Sequence, residues 1–440
     1  MEKELNIKSF YLPIIFVIVI CLGALIYLNN QKIIDVAGAS DVTKIYYVDN
    51  ISAAHQNLIN RFNAENDKNI EVVPVNLPFS KFSTNERKEL LARSLRSKSD
   101  RIDIFSVDLI WVPRFARWSE PLDLYFPVSE RDQILDYALT SCYFQEKLVS
   151  VPLYIDIGMM YYRDDLLQAF PNYESLVGKL KSSITWEELI HLKQSSRYQS
   201  NPFYLFPARN FEGLICSYME SLVGQYQVHQ EASSFSLNTP EAERALQFLV
   251  DMVHKYKMTP LDVTQFDDSQ NFTFAVENDA LFFRGWPGFV RSSRGSPLTA
   301  KLQYIKSAPL PHFKGSGPAS VYGGWNLMIS KFSTKKTAAI EFLKYALKPE
   351  SQKLLYEEAG YLPVNQAVYQ DSLFYQSNPD LDFYLQLLEK GVHRPYLVNY
   401  TRISDILSYY VHQAIEKEIS VKDALQTASE QMMSQQVIIR

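Results

Sequence analysis

The sequence predicts an α/β fold divided into two lobes, each assembled from segments that are separated along the chain. The chain has 440 residues, which is more than one ordinary compact domain holds. Strands and helices alternate through its first third, helices dominate the middle, and an α/β pattern returns around residues 279–330. A chain of this kind crosses between its lobes several times, so the pattern predicts a hinge and a cleft between them.

The first third contains the clearest elements. Strands are predicted at 44–49, 70–75 and 102–107, and helices are predicted at 53–66 and 86–96. Strands that alternate with helices in this way imply parallel βαβ units with right-handed crossovers. The strands are nearly continuous apolar runs, which indicates a sheet that is covered on both faces.

Later helices are predicted from their capping residues. Thr185 opens a capping box, and Thr239 precedes a proline at the first helical position of a helix that runs to about Lys257. Another helix begins at Pro349 and is closed by Gly360. Ser420, with an aspartate three residues later, caps a final helix that has an apolar stripe.

Two later strands, at 303–308 and 321–330, are predicted to return to the first sheet. A return of this kind makes both lobes discontinuous in sequence. We therefore expect lobe 1 to comprise residues 41–155 and 310–358, and lobe 2 to comprise residues 156–309 and 359–440.

The N-terminal segment predicts export. Phe10–Leu28 is an apolar stretch of 19 residues that is interrupted only by Pro13. As a helix it covers roughly 28 Å, close to the hydrocarbon thickness of a bilayer. We interpret residues 1–40 as an uncleaved transmembrane anchor with its linker, and a cleaved secretory signal is the alternative. Under either interpretation the rest of the chain lies outside the cytoplasm, in the periplasm or at the cell surface.

Composition and missing motifs exclude several classes of function. The 44 basic and 49 acidic residues include no long basic run, so nucleic acid is a poor partner. Dinucleotide, P-loop, nucleophile-elbow and zincin motifs do not occur, and no histidines or cysteines have metal-ligand spacing. No catalytic residue, metal or cofactor is therefore predicted, although a glycosidase carboxylate pair stays open. Cys142 and Cys216 either form a disulfide or are free, buried thiols.

Five segments place aromatic and polar side chains at predicted strand ends or turns. A pyranose has an apolar face, on which Trp and Tyr rings stack, and a rim of hydroxyls that carboxylates, amides and guanidinium groups satisfy. A glycine beside a tryptophan lets the main chain approach a ligand closely. The candidate residues in these segments are Asp108, Trp111, Tyr154, Asp156, Asn210, Glu212, Trp286, Gly324 and Trp325.

Each candidate also has a purely structural interpretation. Trp286 and Trp325 are alternatively core residues braced by turn glycines, and Asp108 and Glu212 are alternatively helix caps. Because both tryptophans are flanked by glycine, we favour a cleft.

At these segments the chain resembles the family 1 extracellular solute-binding proteins, which include maltose- and trehalose-binding receptors of ABC importers. The similarity covers about residues 44–430. Its most specific stretches are IDIFSVDLIWVPRFA (102–116), VPLYIDIGMMYYRDDLL (151–167), FFRGWPG (282–288), GGWNLMISKFS (323–333) and GYLPV (360–364).

The resemblance implies a type II periplasmic-binding-protein-like fold, in which two lobes joined by a hinge close over a sugar. It assigns ligand contacts to Asp108, Tyr154, Asp156, Trp286, Gly324, Trp325 and Arg394. Relatives often carry an acidic contact after the first strand, and the matching stretch here is 49–52, which reads Asp-Asn-Ile-Ser.

The predicted function is extracytoplasmic binding of a sugar, a di- or oligosaccharide, and its delivery to the permease subunits of an ABC-type importer. The protein is expected to be a monomer and not an enzyme. The alternatives are a ligand-binding sensor that feeds a signalling receptor, a glycoside-processing enzyme, and a structural surface protein.

Overall fold

A computed structural model describes residues 42–78, 81–82, 84–195, 202–225 and 236–434. Within these residues the strands form two mixed sheets and one small hairpin. In chain order they are β1 (Thr43–Asp49), β2 (Ile70–Asn76), β3 (Ile104–Asp108), β4 (Tyr143–Phe144), β5 (Lys147–Leu148), β6 (Val151–Ile157), β7 (Met159–Arg163), β8 (Tyr204–Leu205), β9 (Phe282–Gly285), β10 (Ile305–Ala308), β11 (Ser320–Ile329) and β12 (Gly391–Val392).

Helices surround both sheets. The longer ones are α1 (Ala53–Glu65), α2 (Thr84–Arg96), α3 (Tyr173–Ser182), α4 (Trp186–Ser195), α5 (Glu212–Val223), α6 (Pro240–His254), α7 (Asp268–Glu277), α8 (Lys336–Ala346), α9 (Pro349–Ala359), α10 (Asp380–Leu388), α11 (Tyr400–Ile415) and α12 (Val421–Met433). Shorter helical turns span Leu109–Trp111, Val112–Phe115, Ala116–Trp118, Val128–Arg131, Asp136–Leu139, Thr140–Cys142, Asp164–Leu167, Leu261–Gln265, Phe289–Ser292, Thr299–Leu302, Gln366–Gln370 and Ser372–Ser377.

The predicted capping residues do begin their helices. Glu188 N donates to Thr185 Oγ1 and Thr185 N donates to Glu188 Oε2, which is the reciprocal capping box. Thr239 caps α6, which ends at His254 and not near Lys257. Gly360 closes α9 with a φ of +73°, a backbone conformation that glycine adopts without strain.

The first sheet has the order β12-β11-β3-β1-β2, and β6 also pairs with β11. β1 is parallel to β2 and β3, as the βαβ pattern predicts, whereas β11 is antiparallel to β3. Ile104 and Phe105 are fully buried in different parts of the core, so apolar side chains cover both faces. The carboxyl ends of β1 and β3 therefore meet at one edge, where ligands bind in open α/β sheets.

The second sheet has the order β10-β7-β9-β8. β10 corrects one prediction, because residues 305–308 pair antiparallel with β7 and do not return to the first sheet. β11 alone of the two later strands makes that return. A four-residue strand carries little register information of its own, and the edge of β7 opposite β9 provides its partner.

The N-terminal apolar run lies outside the described residues. Among residues 42–434, so far as they are described, no helix has the length and apolar character needed to cross a bilayer. Of the two outcomes left open for Cys142 and Cys216, the structure shows the second, since both thiols are free and buried.

A single residue, Gly158, connects β6 of the first sheet to β7 of the second. A Cβ atom at this position would overlap Glu220 Oε1 and would lie 3.1 Å from Arg284 Nη2. Glycine is therefore required here because the buried ion pair between Arg284 of β9 and Glu220 packs directly against the connecting backbone.

We expect Gly158→Ala to lower the free energy of unfolding by about 1–3 kcal/mol, since the added methyl group displaces a paired, buried carboxylate. Gly178→Ala is the matched control, because nothing lies within 4 Å of its Cβ position on the exposed face of α3. That change should stabilise the protein by about 0.5–1 kcal/mol. Urea denaturation measures both, and equal stability of the Gly158→Ala variant and the wild type would contradict the packing argument.

Candidate functional site

Three strands of the first sheet bring four of the predicted residues together. Trp325 of β11 lies opposite Asp108 of β3 on one side and opposite Tyr154 of β6 on the other. Two residues earlier on β11, Gly323 lies opposite Asp156. Directly opposed residues of neighbouring strands share a face of the sheet, so Asp108, Tyr154, Asp156 and Trp325 gather at the centre of β11.

Trp286 reaches this position from the second sheet. It follows the end of β9, and its Cζ3 atom lies 2.9 Å from the Cβ position that Gly323 leaves vacant. The Cβ of Asp156 lies 3.3 Å from the same point. Gly324 has a φ of +128°, which a residue with a side chain adopts only under strain. The two adjacent glycines of β11 thus allow the indole of one sheet to touch the backbone of the other.

A buried guanidinium group holds Trp286 in place. Arg284 makes a bidentate ion pair with Glu220, at 2.9 and 3.1 Å, and donates to Asp268 at 3.0 Å. The same Asp268 oxygen accepts from Trp286 Nε1 at 3.1 Å, and Arg284 Cζ lies 3.9 Å from the centre of the indole. One face of Trp286 and its N–H are therefore fixed before any ligand arrives.

A second buried guanidinium group joins two other predicted residues. Arg394 donates to Glu212 at 2.6 Å and to Asp108 at 3.0 Å, and it is only 2% exposed. Glu212 also accepts hydrogen bonds from Tyr400 and Ser404 of α11. Asp108 belongs to β3 and Glu212 begins α5, so this network ties the first sheet to the helices beside the second.

At this site, the carboxylate of Asp156 has neither a hydrogen-bond donor nor an ion-pair partner among the described residues. Its pKa is raised well above the ordinary value, chiefly by burial and then by repulsion from Asp108, with Arg284 opposing the shift. Burial likewise raises the pKa of Asp108, although Arg394 lowers it in part.

Trp111 and Trp325 line a cavity at the same edge of the sheet. The rings meet edge to face at 6.2 Å, and the partly open cavity has a volume of only about 10 Å³, about the space of one water molecule. Arg87 lies 4.7 Å above the Trp325 ring and Lys88 lies 5.4 Å from the Trp111 ring. Sequence reasoning missed both cations, because on the amphipathic helix α2 they resemble ordinary solvent-facing charges.

Asp49, at the end of β1, begins the stretch that matches the acidic contact found in relatives. Its carboxylate accepts from Tyr47 at 2.7 Å, from the backbone of Asn50 at 2.6 Å and from Arg87 at 3.0 Å. Asp49 therefore orients the guanidinium of Arg87 over Trp325.

Three of the predicted residues make further contacts with protein partners. Tyr154 stacks on Tyr361 with a centroid distance of 4.1 Å, so one face of its ring is covered. Asn210 accepts a hydrogen bond from Ser408 of α11 at 2.7 Å. Asp108 accepts from Ile110 N at 3.1 Å and is the helix cap that its structural interpretation foresaw, in addition to binding Arg394.

Two sheets that are tied together by paired charges, and that touch where Trp286 reaches Gly323, are typical of a two-lobe binding protein. A sequence profile described as bacterial extracellular solute-binding protein matches residues 57–382, most of the chain. The chain belongs to this family, whose members bind solutes outside the cytoplasm and are not enzymes. The family resemblance and the α/β two-lobe fold predicted from the sequence are thereby confirmed.

Individual relatives agree with this assignment. A probable ABC transporter-binding protein of Deinococcus radiodurans is 26% identical over 362 residues, which is 79% of this chain and 83% of that protein. An sn-glycerol-3-phosphate-binding periplasmic protein of Rhizobium meliloti is 30% identical over 135 residues, covering 28% of this chain and 31% of its own length.

Solved structures show the same fold. A maltose-bound MalE3 of T. maritima has a TM-score of 0.78 and 28% identity, with 89% of this chain and 99% of that chain covered. The GacH receptor of Streptomyces glaucescens has a TM-score of 0.73 and 19% identity, with 89% and 97% covered.

Proposed function

We propose that the protein binds a di- or oligosaccharide between its lobes and delivers it to an ABC-type importer. One observation carries the proposal: two indoles, one from each lobe, and an unpartnered carboxylate converge on residues 323–325 of β11. The similarity to a maltose-bound protein at 28% identity supports the same class of ligand.

The chemistry of a sugar matches what these groups offer. Indole rings stack on the apolar face of a pyranose, and the Asp156 carboxylate accepts hydrogen bonds from its hydroxyls. Arg284 and Arg394 are already held rigidly, so little side-chain entropy is lost when a ligand binds. The proposed ligand contacts are Asp108, Trp111, Tyr154, Asp156, Asn210, Glu212, Trp286, Gly324, Trp325 and Arg394.

In this proposal, closure of the lobes distinguishes the ligand-bound protein from the free protein. Ligand contacts from both lobes favour the closed arrangement, which then presents both lobes to the permease subunits. We propose that Gly158 is one hinge connection. The proposed lobes are those predicted from the sequence, 41–155 with 310–358 and 156–309 with 359–440, with the first boundary moved to Gly158 because β6 of the first sheet runs to Ile157. The apolar run Phe10–Leu28 is proposed as the membrane tether of a monomeric receptor.

Calorimetry and thermal unfolding of the full chain test the proposal. The protein is solubilised in a detergent without a sugar headgroup and titrated with maltose, trehalose, maltotriose, glucose and sn-glycerol 3-phosphate. A bound sugar at a hundredfold its dissociation constant stabilises the fold by about 2.7 kcal/mol. A correctly folded protein that shows neither heat nor a thermal shift with any sugar would overturn the proposal.

Asp156→Asn should weaken sugar binding by about tenfold and stabilise the unliganded protein. The folded-state pKa of Asp156 is raised, so its ionisation favours unfolding once the pH exceeds the unfolded value of about 4. The melting temperature of the variant should therefore equal that of the wild type below pH 4 and exceed it increasingly towards neutral pH. Scanning calorimetry from pH 3.5 to pH 8 measures the difference, and a lower melting temperature for the variant at pH 7 would contradict the argument.

A further inference from the structure

The site contains more negative than positive charge. Each of its two buried arginines, Arg284 and Arg394, is shared by two carboxylates, and Asp156 adds a fifth carboxylate that no cation contacts among the described residues. Five carboxylates against two guanidinium groups leave an excess of three negative charges if all are ionised. Such an excess is costly in a buried site, since like charges there repel one another with little solvent screening.

Neighbouring cations offset this excess only in part. Arg87 pairs with Asp49 at 3.0 Å, and the Lys88 ammonium lies 3.8 Å from a carboxylate oxygen of Asp405. Both cations therefore have a carboxylate partner outside the five, although Lys88 also interacts electrostatically with Glu212. The pKa directions agree with an acidic site, because burial together with carboxylate repulsion raises the pKa of Asp156 and of Asp268, although Arg284 opposes both shifts.

A binding site with an excess of negative charge is complementary to a cation. We propose that the ligand is an amino sugar, whose ammonium group binds at the Asp156 carboxylate beside the Trp286 indole. This inference rests on the proposed sugar-binding function and names the class of sugar. A neutral sugar would leave the negative charge uncompensated, whereas an ammonium group neutralises part of it and donates three hydrogen bonds.

The geometry brings the Asp156 side chain and the Trp286 indole to the same point on β11. The Cβ of Asp156 and the Cζ3 of Trp286 lie 3.3 Å and 2.9 Å from one point, the Cβ position of Gly323. A carboxylate supplies the charge-assisted hydrogen bond, and the indole ring attracts a cation through its π system. Trp325, two residues further along β11, would supply the ring that stacks on the apolar face of the sugar.

Calorimetry of the full chain with a matched pair of disaccharides tests the inference. The glucosamine disaccharide of chitosan carries free amines, and N,N′-diacetylchitobiose has the same skeleton with neutral amides. The free amine should bind at least about tenfold more tightly at pH 6.5, and its affinity should fall with added salt. Maltose is titrated in parallel as a neutral sugar of similar size.

Asp156→Asn tests whether this carboxylate itself binds the amine or whether the negative charge of the whole protein attracts it. In this variant the preference for the free amine should fall to about twofold or less, whereas in Asp262→Asn, an exposed carboxylate of a surface turn, it should persist. Circular dichroism and melting temperature confirm that both variants fold.

Other results overturn the inference in separate ways. Equal affinity for the two disaccharides in the wild type, or a preference that survives in Asp156→Asn, excludes the ammonium site. Binding of maltose without binding of the free amine also excludes it but leaves the proposed sugar-binding function intact. If the folded protein binds no sugar of either panel, both proposals fail.

Discussion

Replacing either Trp286 or Trp325 by alanine should weaken sugar binding by at least about thirtyfold, with little loss of stability. Buried aromatic anchors at the centre of an interface contribute about 2 kcal/mol or more, and each 1.4 kcal/mol is a factor of ten in affinity. Both indoles are only half-buried in the unliganded protein, so their truncation removes less core packing than the loss of a fully buried ring. Titration calorimetry with the tightest sugar of the panel measures the effect.

Trp118→Ala is the control for these two variants. Trp118 is also half-buried, and it packs on Phe115 at 5.6 Å under Arg117 at 5.5 Å, outside the candidate site. Its loss should leave the affinity within about twofold of the wild type. If Trp286→Ala and Trp325→Ala also retain wild-type affinity, the sugar does not bind between these indoles, and the site assignment fails.

The two indoles became candidates from the sequence because each has a recognisable local pattern. Trp286 and Trp325 each have glycine as a neighbour in the chain, and the structure shows why: Gly323 and Gly324 make room for an indole and for a backbone that only glycine adopts easily. Asp108 became a candidate for a similar reason, since it ends an apolar strand at the sheet edge. Local patterns of this kind can be recognised in a single sequence.

The partners of the two arginines were not predictable in the same way. Arg284 is 64 residues from Glu220, and Arg394 is 286 residues from Asp108, so no local spacing connects them. Glu220 lies inside α5, where a glutamate usually faces solvent. The short strand β10 was misplaced for a related reason: its pairing depends on β7, which is more than a hundred residues earlier.

Loss of Arg394 should produce the largest fall in stability. Arg394→Met removes the only guanidinium that contacts Asp108 and Glu212 among the described residues, and it leaves the half-buried Asp108 and the buried Glu212 without that ion-pair partner. Breaking a buried ion pair from one side costs about 3–5 kcal/mol, because the desolvation of the remaining charge is no longer compensated. Urea denaturation followed by circular dichroism measures the loss in the unliganded protein.

Two further variants show whether uncompensated charge is the cause. Arg114→Met breaks an ion pair with Glu89, whose side chain is 54% exposed, and should cost less than about 1 kcal/mol. Adding Glu212→Gln to Arg394→Met removes one of the two stranded carboxylates and should restore part of the lost stability. A loss below about 1 kcal/mol for Arg394→Met would contradict the argument. If the double variant recovers no stability, the loss comes from the missing packing of the arginine side chain. Removing an unpaired buried carboxylate stabilises the protein only if that carboxylate opposes folding.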